Sequence, residues 1–456
     1  MQSPAISLWQ YSRRLGKDVP PSVKRTIALY GDKVYVPTSD VHVVALDAKT
    51  GRVVWDREVA SRASGYGMTG GPLVAKGKVM VGTTGRAAGG NLIVALDAET
   101  GQEAWRFNAI AQPNTPFGNS WNGVPVEKRH GASVWVAGSF DPATGLALFG
   151  VAQTYDTGPY RDLVKDGDVT NDLLYTDSTV AINPDTGKLA WHYQHQPNDQ
   201  WDLDWAFEQV LLKLPSSSKM LVATSGKQAI YDVVEADTGS YVFSIDLGLQ
   251  DIVTSIDPKT GAKNVNPRLI PGKATPSRSV HTLAAPNHGF PSRINAETRT
   301  MFVPLVESCM DLTPVAPGGR GAYRPACAGR CVHERIATAN TAACRPSTWK
   351  PEEWSGRIVS ARRNRPASSP RPAASSSPAR STACSRHDDE TGKELWKVRL
   401  NDVPNSAPIS YMVNGKQYVA VTVGNGGAQA ATFPALVPEI KNPPDRGAAI
   451  WVFELK

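Results

Sequence analysis

A short phrase recurs along the chain and constrains its fold more than any other feature. The clearest copies read ALDAKTGRVVW (45–55), ALDAETGQEAW (95–105), AINPDTGKLAW (181–191) and RHDDETGKELW (386–396). In each copy an apolar run leads to an Asp or Asn, whose side chain can bond backbone amides and open a turn. A glycine four residues later supplies the positive φ of a tight hairpin, and the second strand carries a Trp.

These repeats favour a radial arrangement of β-sheets. Weaker copies of the phrase occur at 140–150, 233–243, 255–265 and 294–302. An isolated hairpin cannot bury a large indole, whereas stacked units can pack each Trp on a neighbour. The first two copies lie about 50 residues apart, which leaves room for four strands per unit, and radial repetition protects sheet edges. We therefore predict an all-β chain folded as a β-propeller, with a β-solenoid or sandwich as the alternative.

Composition narrows the class of protein. The 456 residues include 39 Gly and 35 Pro, which favours short strands and many turns. No apolar run reaches the length of a transmembrane helix, and the first residues lack the apolar core of a signal peptide. The positive charges behind the net charge of +7 are scattered, except in residues 320–387, which carry much of the positive excess. We interpret that segment as disordered or aberrant rather than as a nucleic-acid site, so we expect no nucleic-acid partner.

One segment departs from this pattern. Residues 315–387 lack strand-like alternation, are crowded with Arg, Ala, Ser and Pro, and are too long for a plain loop. The motif CAGRCVHE within them has neither the CxxC nor the CxxCH spacing of a metal or haem site. We predict one propeller domain over 1–456 that contains 315–387 as an aberrant or disordered segment, and a shifted reading frame is our hypothesis for its composition.

Three stretches carry a resemblance to a known family. They are the recurring phrase, the block NPDTGKLAWHYQHQPNDQWDLDWAF (183–207) and VNGKQYVAVTVGNGG (413–427). They resemble the PQQ-dependent (quinoprotein) alcohol dehydrogenases over about residues 8–310 and 387–456. The resemblance implies an eight-bladed β-propeller that holds pyrroloquinoline quinone (PQQ) and a metal ion near its axis. This chain begins within the family's first blade, so we expect the ring to be incomplete.

The resemblance implies roles for four residues. Asp202 matches the catalytic base, and a desolvated carboxylate suits removal of an alcohol proton. Lys227 matches a cation that bonds the quinone oxygens, and Trp135 matches the indole beneath the PQQ rings. Asn425 stands where many members carry a Trp near the cofactor. From the residues alone, a turn-capping Asp202, an exposed turn Lys227 and a core Trp135 remain the alternatives.

The metal ligands are altered relative to the family. Gln153 occupies the position of an asparagine ligand, and Asp204 matches an extra carboxylate of lanthanide-dependent members, with a solvated acid as its alternative. A glutamate ligand should fall within GTTGRAAGGN (82–91), but this stretch has no acid and Ala87 is the nearest match. A family cysteine pair that covers PQQ is replaced by RASGYGMTGG (62–71). We expect PQQ with Ca²⁺ or a lanthanide in a changed metal site.

The activity implied by the resemblance is oxidation of an alcohol. A small-molecule alcohol would lose its hydroxyl proton to Asp202 and a hydride to the quinone. Electrons would then pass to a separate acceptor such as cytochrome c, and the family location is the periplasm. The alternatives are a non-catalytic propeller that serves as a scaffold for protein assembly, or an inactive fragment.

Overall fold

The structure, a computed structural model, describes most of the first 270 residues and a set of strands beyond them. The described residues are 9–20, 22, 26–213, 218–248, 250–270, 277–284, 293–295, 300–314, 323–326, 358–362, 383–387, 394–400, 409–424 and 448–455. The chain divides into two compact units, Met1–His281 with Asp311–Ala326 and Thr282–Met310 with Cys327–Lys456. A single domain over 1–456 stays a prediction.

The first unit is built from short antiparallel strands joined by turns and four 3₁₀ helices. In chain order the strands are β1 Ala28–Tyr30, β2 Lys33–Pro37, β3 His42–Asp47, β4 Val53–Glu58, β5 Tyr66–Gly67, β6 Leu73–Ala75, β7 Lys78–Gly82, β8 Thr84–Gly85, β9 Leu92–Asp97, β10 Glu103–Asn108, β11 Ser139–Asp141, β12 Leu146–Gly150, β13 Ser178–Ile182, β14 Leu189–Gln194, β15 Val210–Lys213, β16 Met220–Ser225, β17 Ile230–Glu235, β18 Tyr241–Asp246, β19 Val253–Ile256 and β20 Lys263–Val265. The 3₁₀ helices are Arg62–Ser64, Val126–Lys128, Gly158–Tyr160 and Pro267–Leu269.

Four sheets of four strands follow one another in this unit. The first sheet has the order β1-β2-β3-β4, the second β10-β9-β7-β6, the third β11-β12-β13-β14 and the fourth β15-β16-β17-β18. Strands β19 and β20 form a fifth, two-stranded sheet, and β5 pairs with β8. The all-β prediction is confirmed, and within the described part of this unit we find five successive sheets rather than the eight blades that the resemblance implies.

The strands that follow β20 are divided between the two units: β24, the first part of β21 and the end of β23 lie in the first unit, and the others lie in the second. The later strands are β21 Ser277–Ala284, β22 Arg293–Asn295, β23 Thr300–Pro314, β24 Tyr323–Ala326, β25 Ile358–Arg362, β26 Ala383–His387, β27 Glu394–Arg399, β28 Ile409–Val413, β29 Lys416–Gly424 and β30 Ala448–Leu455. Strand β26 pairs with β27, which confirms strands on both sides of the fourth clear copy of the phrase. Strands β28, β29 and β30 form a three-stranded sheet. Apart from β24, β25 and β26, the segment 315–387 lies outside the described residues.

The turn within each phrase has the predicted chemistry. Asp47 Oδ1 accepts a hydrogen bond from the backbone amide of Thr50 at 2.7 Å. The amide of Gly51 donates to Asp47 O at 2.8 Å, and Gly51 has a φ of 69°. The third copy uses Asn183 in the same way, since Gly187 N donates to Asn183 O at 2.8 Å. The side chain before the turn and the glycine that closes it therefore define the hairpin locally.

The tryptophans of the phrase connect neighbouring sheets. Among the described side chains, three phrase tryptophans and the earlier Trp9 donate their indole Nε1 to a backbone oxygen in the turn of the following sheet: Trp9 to Ala48 at 3.0 Å, Trp55 to Ala98 at 3.0 Å, Trp105 to Pro184 at 2.7 Å and Trp191 to Ala236 at 3.1 Å. The same rings lie against the turn glycines Gly51, Gly101, Gly187 and Gly239. The predicted packing of each Trp on its neighbour is confirmed for these sheets.

A long insertion between β10 and β13 brings polar residues to the start of the third sheet. It contains the β11–β12 hairpin at the weak copy 140–150, and a loop that runs from β12 to β13. The loop is fixed by the fully buried Trp121, whose Nε1 donates to Leu174 O at 2.6 Å. Gln153 and Asp177 lie in this loop and are buried. The described residues contain no helix with the length and hydropathy to span a membrane.

Substitution of a turn glycine tests the contact between sheets. A Cβ on Gly101 would lie 2.7 Å from Trp55 Cδ2, whereas Gly77 has a similar φ (67° against 69°) and nothing within 4 Å. We expect Gly77→Ala to lower the free energy of unfolding by about 1–2 kcal/mol because of its left-handed backbone. Gly101→Ala should cost about 1–3 kcal/mol more, since the ring must move. Urea titration measures both, and equal losses would contradict the Trp contact.

Candidate active site

The loop 198–207, NDQWDLDWAF, follows β14 and precedes β15. Its backbone turns sharply, because Asn198, Asp202 and Asp204 have φ values of 47°, 71° and 38°. Asn and Asp tolerate this left-handed region better than most residues. Asp202 and Asp204 therefore do not lie on one side of an extended segment. They are brought together by consecutive turns instead.

Aromatic side chains hold this loop in place. Trp201 is 1% exposed and its Nε1 donates to Leu269 O at 2.7 Å. The Phe207 ring meets the Trp135 ring edge-on at 6.0 Å between centroids. Trp205 is fully buried and stacks on His195 at 4.1 Å between ring centroids. The indoles around the acids therefore anchor the loop and exclude water from it.

Asp199 organises the loop from within. Its Oδ1 accepts from Trp201 N at 2.7 Å and its Oδ2 accepts from Leu203 N at 2.6 Å. Burial raises the pKa of Asp199 to about 6, although these two amide bonds oppose the shift. Asp199 is therefore a turn residue, whose carboxylate holds two backbone amides of the loop.

Lys227 joins the other two acids of the loop. Its Nζ lies 2.9 Å from Asp202 Oδ1 and 2.6 Å from Asp204 Oδ2. The lysine side chain is 8% exposed, which rules out an exposed turn lysine. Its backbone amide donates to Leu203 O at 2.6 Å, so the β16–β17 turn is bonded directly to the acid loop. The fold thus places a buried cation between two carboxylates.

Burial and Lys227 shift the pKa values of the two carboxylates in opposite directions. Burial raises the pKa of Asp202 well above its usual range, the Asp204 charge adds to the shift, and Lys227 opposes it. For Asp204 burial acts in the same direction, but Lys227 outweighs it and the pKa is lowered. The two carboxylates in turn raise the pKa of Lys227 against the effect of burial. The Asp202 side chain is 26% exposed against 5% for Asp204, so Asp202 is the more accessible of the two carboxylates.

Gln153 belongs to the same cluster. Its Nε2 donates to Asp202 Oδ1 at 2.5 Å, and its backbone amide donates to Asp204 Oδ1 at 3.3 Å. A buried carboxylate from the insertion, Asp177, lies nearby, and burial together with the negative charges of Asp199 and Asp204 raises its pKa well above the usual range. The structure thus brings Gln153, Asp202, Asp204 and Lys227 together, and their roles as base, metal ligands and cofactor-binding cation stay predictions.

Trp135 and Asn425 are the two remaining residues with a predicted role. Trp135 touches the loop through Phe207, is half-buried, and its buried Nε1 has no hydrogen-bond partner among the described residues. Asn425 lies outside the described residues. The predicted cofactor-binding roles of both stay predictions.

The donor set around Asp204 does not fit a metal ion in its present arrangement. Hard cations such as Ca²⁺ require several anionic or carbonyl oxygens. Asp204 is neutralised by Lys227, and Ala87, fully buried, stands where the resemblance implies a glutamate. The neighbouring Arg86 brings another cation, with its Nη2 3.0 Å from Tyr155 O. Among the described residues, no group of three or more His, Cys, Asp or Glu side chains could hold a metal.

Comparisons with known proteins show which proteins this chain resembles. A family model described as "PQQ: Glucose/ethanol/alcohol dehydrogenase, beta-propeller domain" matches residues 57–248. Quinohemoprotein alcohol dehydrogenase ADH IIB of Pseudomonas putida is 29% identical over 93% of this chain. The chain is thus similar to quinoprotein alcohol dehydrogenases over most of its length. It spans 64% of the length of that relative.

Solved structures show the same fold. Quinohemoprotein alcohol dehydrogenase ADHIIG from Pseudomonas putida superposes with a TM-score of 0.69 at 22% identity, covering 91% of this chain and 65% of its own. A europium-containing methanol dehydrogenase gives a TM-score of 0.61 at 19% identity, covering 95% of this chain and 81% of its own. The fold is a β-propeller.

The flat quinone cofactor of this family fits the described residues better than a metal does. Lys227 offers a buried ammonium, and Asp202 is the one acid of the pair with a substantially exposed side chain. The partnerless Nε1 of Trp135 offers a buried donor. A ring system rich in acceptor oxygens can use both donors and can stack on an indole face.

Sequence reasoning missed several buried polar residues near the loop. They are Asp177 in the insertion, His195 after β14, Asp232 on β17 and Lys263 on β20. Asp232 carried a usable signal, because a charged residue in the apolar strand IYDVVE must find a partner if it is buried. The partners come from other sheets, and the sequence does not indicate which.

Proposed function

We propose that this protein oxidises a small-molecule alcohol to an aldehyde or ketone with PQQ as cofactor. The observation that carries the proposal is the state of Asp202. Its carboxylate is desolvated, bonded by Lys227 at 2.9 Å, and still 26% exposed. A base of raised pKa that a substrate can reach is the group that abstraction of a hydroxyl proton needs.

The chain's own residues would divide the work. Asp202 accepts the hydroxyl proton, and Gln153 orients its carboxylate through the Nε2 hydrogen bond. Lys227 stabilises negative charge that develops near it, because an ammonium in a dry site is a strong electrostatic partner. Bound PQQ supplies the acceptor for the hydride. Trp135 would give a platform for the cofactor rings, and Asn425 would lie beside them.

We propose the electron acceptor, the location and the number of blades by resemblance to the family. Electrons would leave to a separate acceptor such as cytochrome c, in the periplasm, and the complete ring would have eight blades. A scaffold without catalysis is the second candidate, but a buried lysine between two carboxylates, one of them 26% exposed, favours the enzyme. Buried ion pairs are costly in desolvation, so their presence favours a site with chemistry.

We propose Ca²⁺ or a lanthanide as the metal ion that accompanies PQQ. Gln153 and Asp204 would have to supply the oxygens, and Lys227 would have to release Asp204 first. We therefore expect weak metal binding. A solved relative is a europium-containing methanol dehydrogenase, which makes lanthanides worth including in the test.

Asp202→Asn tests the base. We expect kcat to fall by about 10²–10⁴-fold, because the amide cannot take a proton, while PQQ binding persists. Alcohol-dependent dye reduction measures kcat, and equilibrium dialysis measures PQQ. Asp237→Asn, an exposed acid in the turn after β17, is the matched control and should leave kcat unchanged. Normal turnover by Asp202→Asn would remove Asp202 from the mechanism, and no PQQ binding by the wild type would favour the scaffold.

The pH dependence tests the electrostatics. Asp202 works as a base only when it is ionised, and its pKa is raised, so kcat/KM should fall as the pH drops through a value well above that of an exposed aspartate. Lys227→Met removes the cation that opposes this shift and should move the acidic limb to higher pH. The exposed Lys188→Met should leave the limb in place. An unchanged limb in Lys227→Met would contradict the assigned pairing.

Gln153→Glu tests the metal. A carboxylate in place of the amide adds an anionic oxygen next to Asp204, so we expect the affinity of the apoprotein for Ca²⁺ and La³⁺ to rise by about tenfold or more. Isothermal titration calorimetry without PQQ measures this. The same substitution at the exposed Gln102 is the control. Tight binding by the wild type would show that Lys227 yields to the metal.

A further inference from the structure

We propose that His195, Asp232 and Lys263 form a buried positioning assembly that holds Trp205, and through it the Asp202–Asp204 loop, in the geometry that turnover needs. Its catalytic part rests on the proposed function. Its structural part does not, since it concerns the loop in the protein without cofactor.

The assembly centres on Asp232, a fully buried acid on β17. Its Oδ2 accepts from Lys263 Nζ at 2.5 Å and from His195 Nδ1 at 2.8 Å, and its Oδ1 accepts from Ser244 Oγ at 2.6 Å. The side chains of Asp232, His195 and Lys263 are all 0% exposed. Lys263 also donates to His195 O at 3.0 Å. These residues come from the end of the third sheet, the fourth sheet and β20, so the assembly ties three sheets together.

Trp205 is held directly by two members. The His195 ring stacks on the indole with centroids 4.1 Å apart and planes 4° apart, and Lys263 Nζ lies 5.1 Å from the indole centroid. A desolvated cation over an indole face is attracted by the ring's electron density, so Lys263 holds the indole as well as Asp232. His195 Nε2 faces Thr179 Oγ1 at 2.8 Å, which fixes the plane of the imidazole and hence that of the indole.

The other side of Trp205 borders the acid pair. A Cβ on Gly226 would lie 2.7 Å from Trp205 Cε2 and 2.7 Å from Asp204 O, so the indole edge, the acid loop and the Lys227 turn leave no space between them. Gly150 would likewise place a Cβ 2.4 Å from Trp205 O. A tilt of the Trp205 ring must therefore displace Gly226 or Asp204. The assembly thereby controls the separation of Lys227 and the carboxylates.

The energetics of the assembly also favour a positioning role. A buried Lys–Asp pair contributes little net stability, because desolvation offsets most of the attraction. Burial lowers the pKa of His195, so a neutral imidazole links the Lys263–Asp232 pair to the stacked indole. Fully satisfied buried networks fix one geometry rather than add stability. The network lies directly behind the acid loop, and this position assigns a positioning role to the network.

Lys263→Met is the principal test, with Lys263→Arg as rescue and Lys259→Met as control. Lys259 lies in the same hairpin but is exposed. We expect Lys263→Met to speed hydrogen exchange at the Leu203 and Lys227 amides by about tenfold or more, without faster exchange in the second sheet. Misplacement of about 1 Å can cost about 100-fold in rate, so kcat should fall 10- to 100-fold with KM unchanged. Lys263→Arg should restore most of both, and Lys259→Met should match the wild type.

A second variant covers the case in which Lys263→Met fails to fold. Asp232→Asn combined with Lys263→Met leaves no unpaired buried charge, and it should fold while the loop amides still exchange faster. Wild-type exchange and kcat in either folded variant would overturn the proposal, as would a uniform rise in exchange across all sheets. If the wild type shows no alcohol turnover, the proposed function fails. The exchange data on the apoprotein still decide whether the assembly positions the loop.

Discussion

The contact between an indole and the turn of the next sheet is the interaction on which the described propeller sheets depend. Each phrase Trp whose side chain is described buries its ring against a turn glycine and donates its Nε1 to a backbone oxygen beside it, as Trp55 does with Gly101 and Ala98. Loss of a large buried aromatic costs about 3–5 kcal/mol, and the hydrogen bond adds about 1 kcal/mol. The glycine is required twice over, for its positive φ and for the space that a Cβ would fill.

Sheets stacked in this way can hold the acid loop 198–207 in a conformation that is unfavourable for the loop alone. The loop 198–207 has left-handed backbone at Asp202 and Asp204 and buries three carboxylates, all of which oppose folding. Trp201 and Phe207 fix the loop by packing, and Lys227 supplies the opposing charge. The same burial that makes the loop costly raises the pKa of Asp202, which is the property that a general base uses. The burial that lowers the stability of the loop is therefore the same burial that raises the pKa of Asp202.

Some features were predictable from the sequence because they are local. The Asp47 or Asn183 cap, the turn glycine and the Trp lie within a few residues of one another, so the hairpins and their packing could be read directly. The cluster of Gln153, Asp202, Asp204 and Lys227 was found through resemblance, since no local rule joins residues 74 positions apart. The turns at Asp202 and Asp204 were not predictable from the loop itself, because contacts with residues outside the loop hold it in place. The His195–Asp232–Lys263 assembly was missed because its members lie on different sheets.

The sequence by itself determined the β-hairpin repeat and the identity of the acids, because both are local in the chain. It predicted the indole contacts between sheets only through the repeat, since those contacts join residues that are far apart in the chain. The tertiary structure decided the protonation and pairing of those acids. Asp202 and Asp204 are the same residue type two positions apart, yet burial dominates at one and Lys227 at the other. Desolvation and charge pairing depend on what surrounds a group in space, and for this loop the surroundings come from four other segments of the chain: the insertion, the end of β14, the β16–β17 turn and β20.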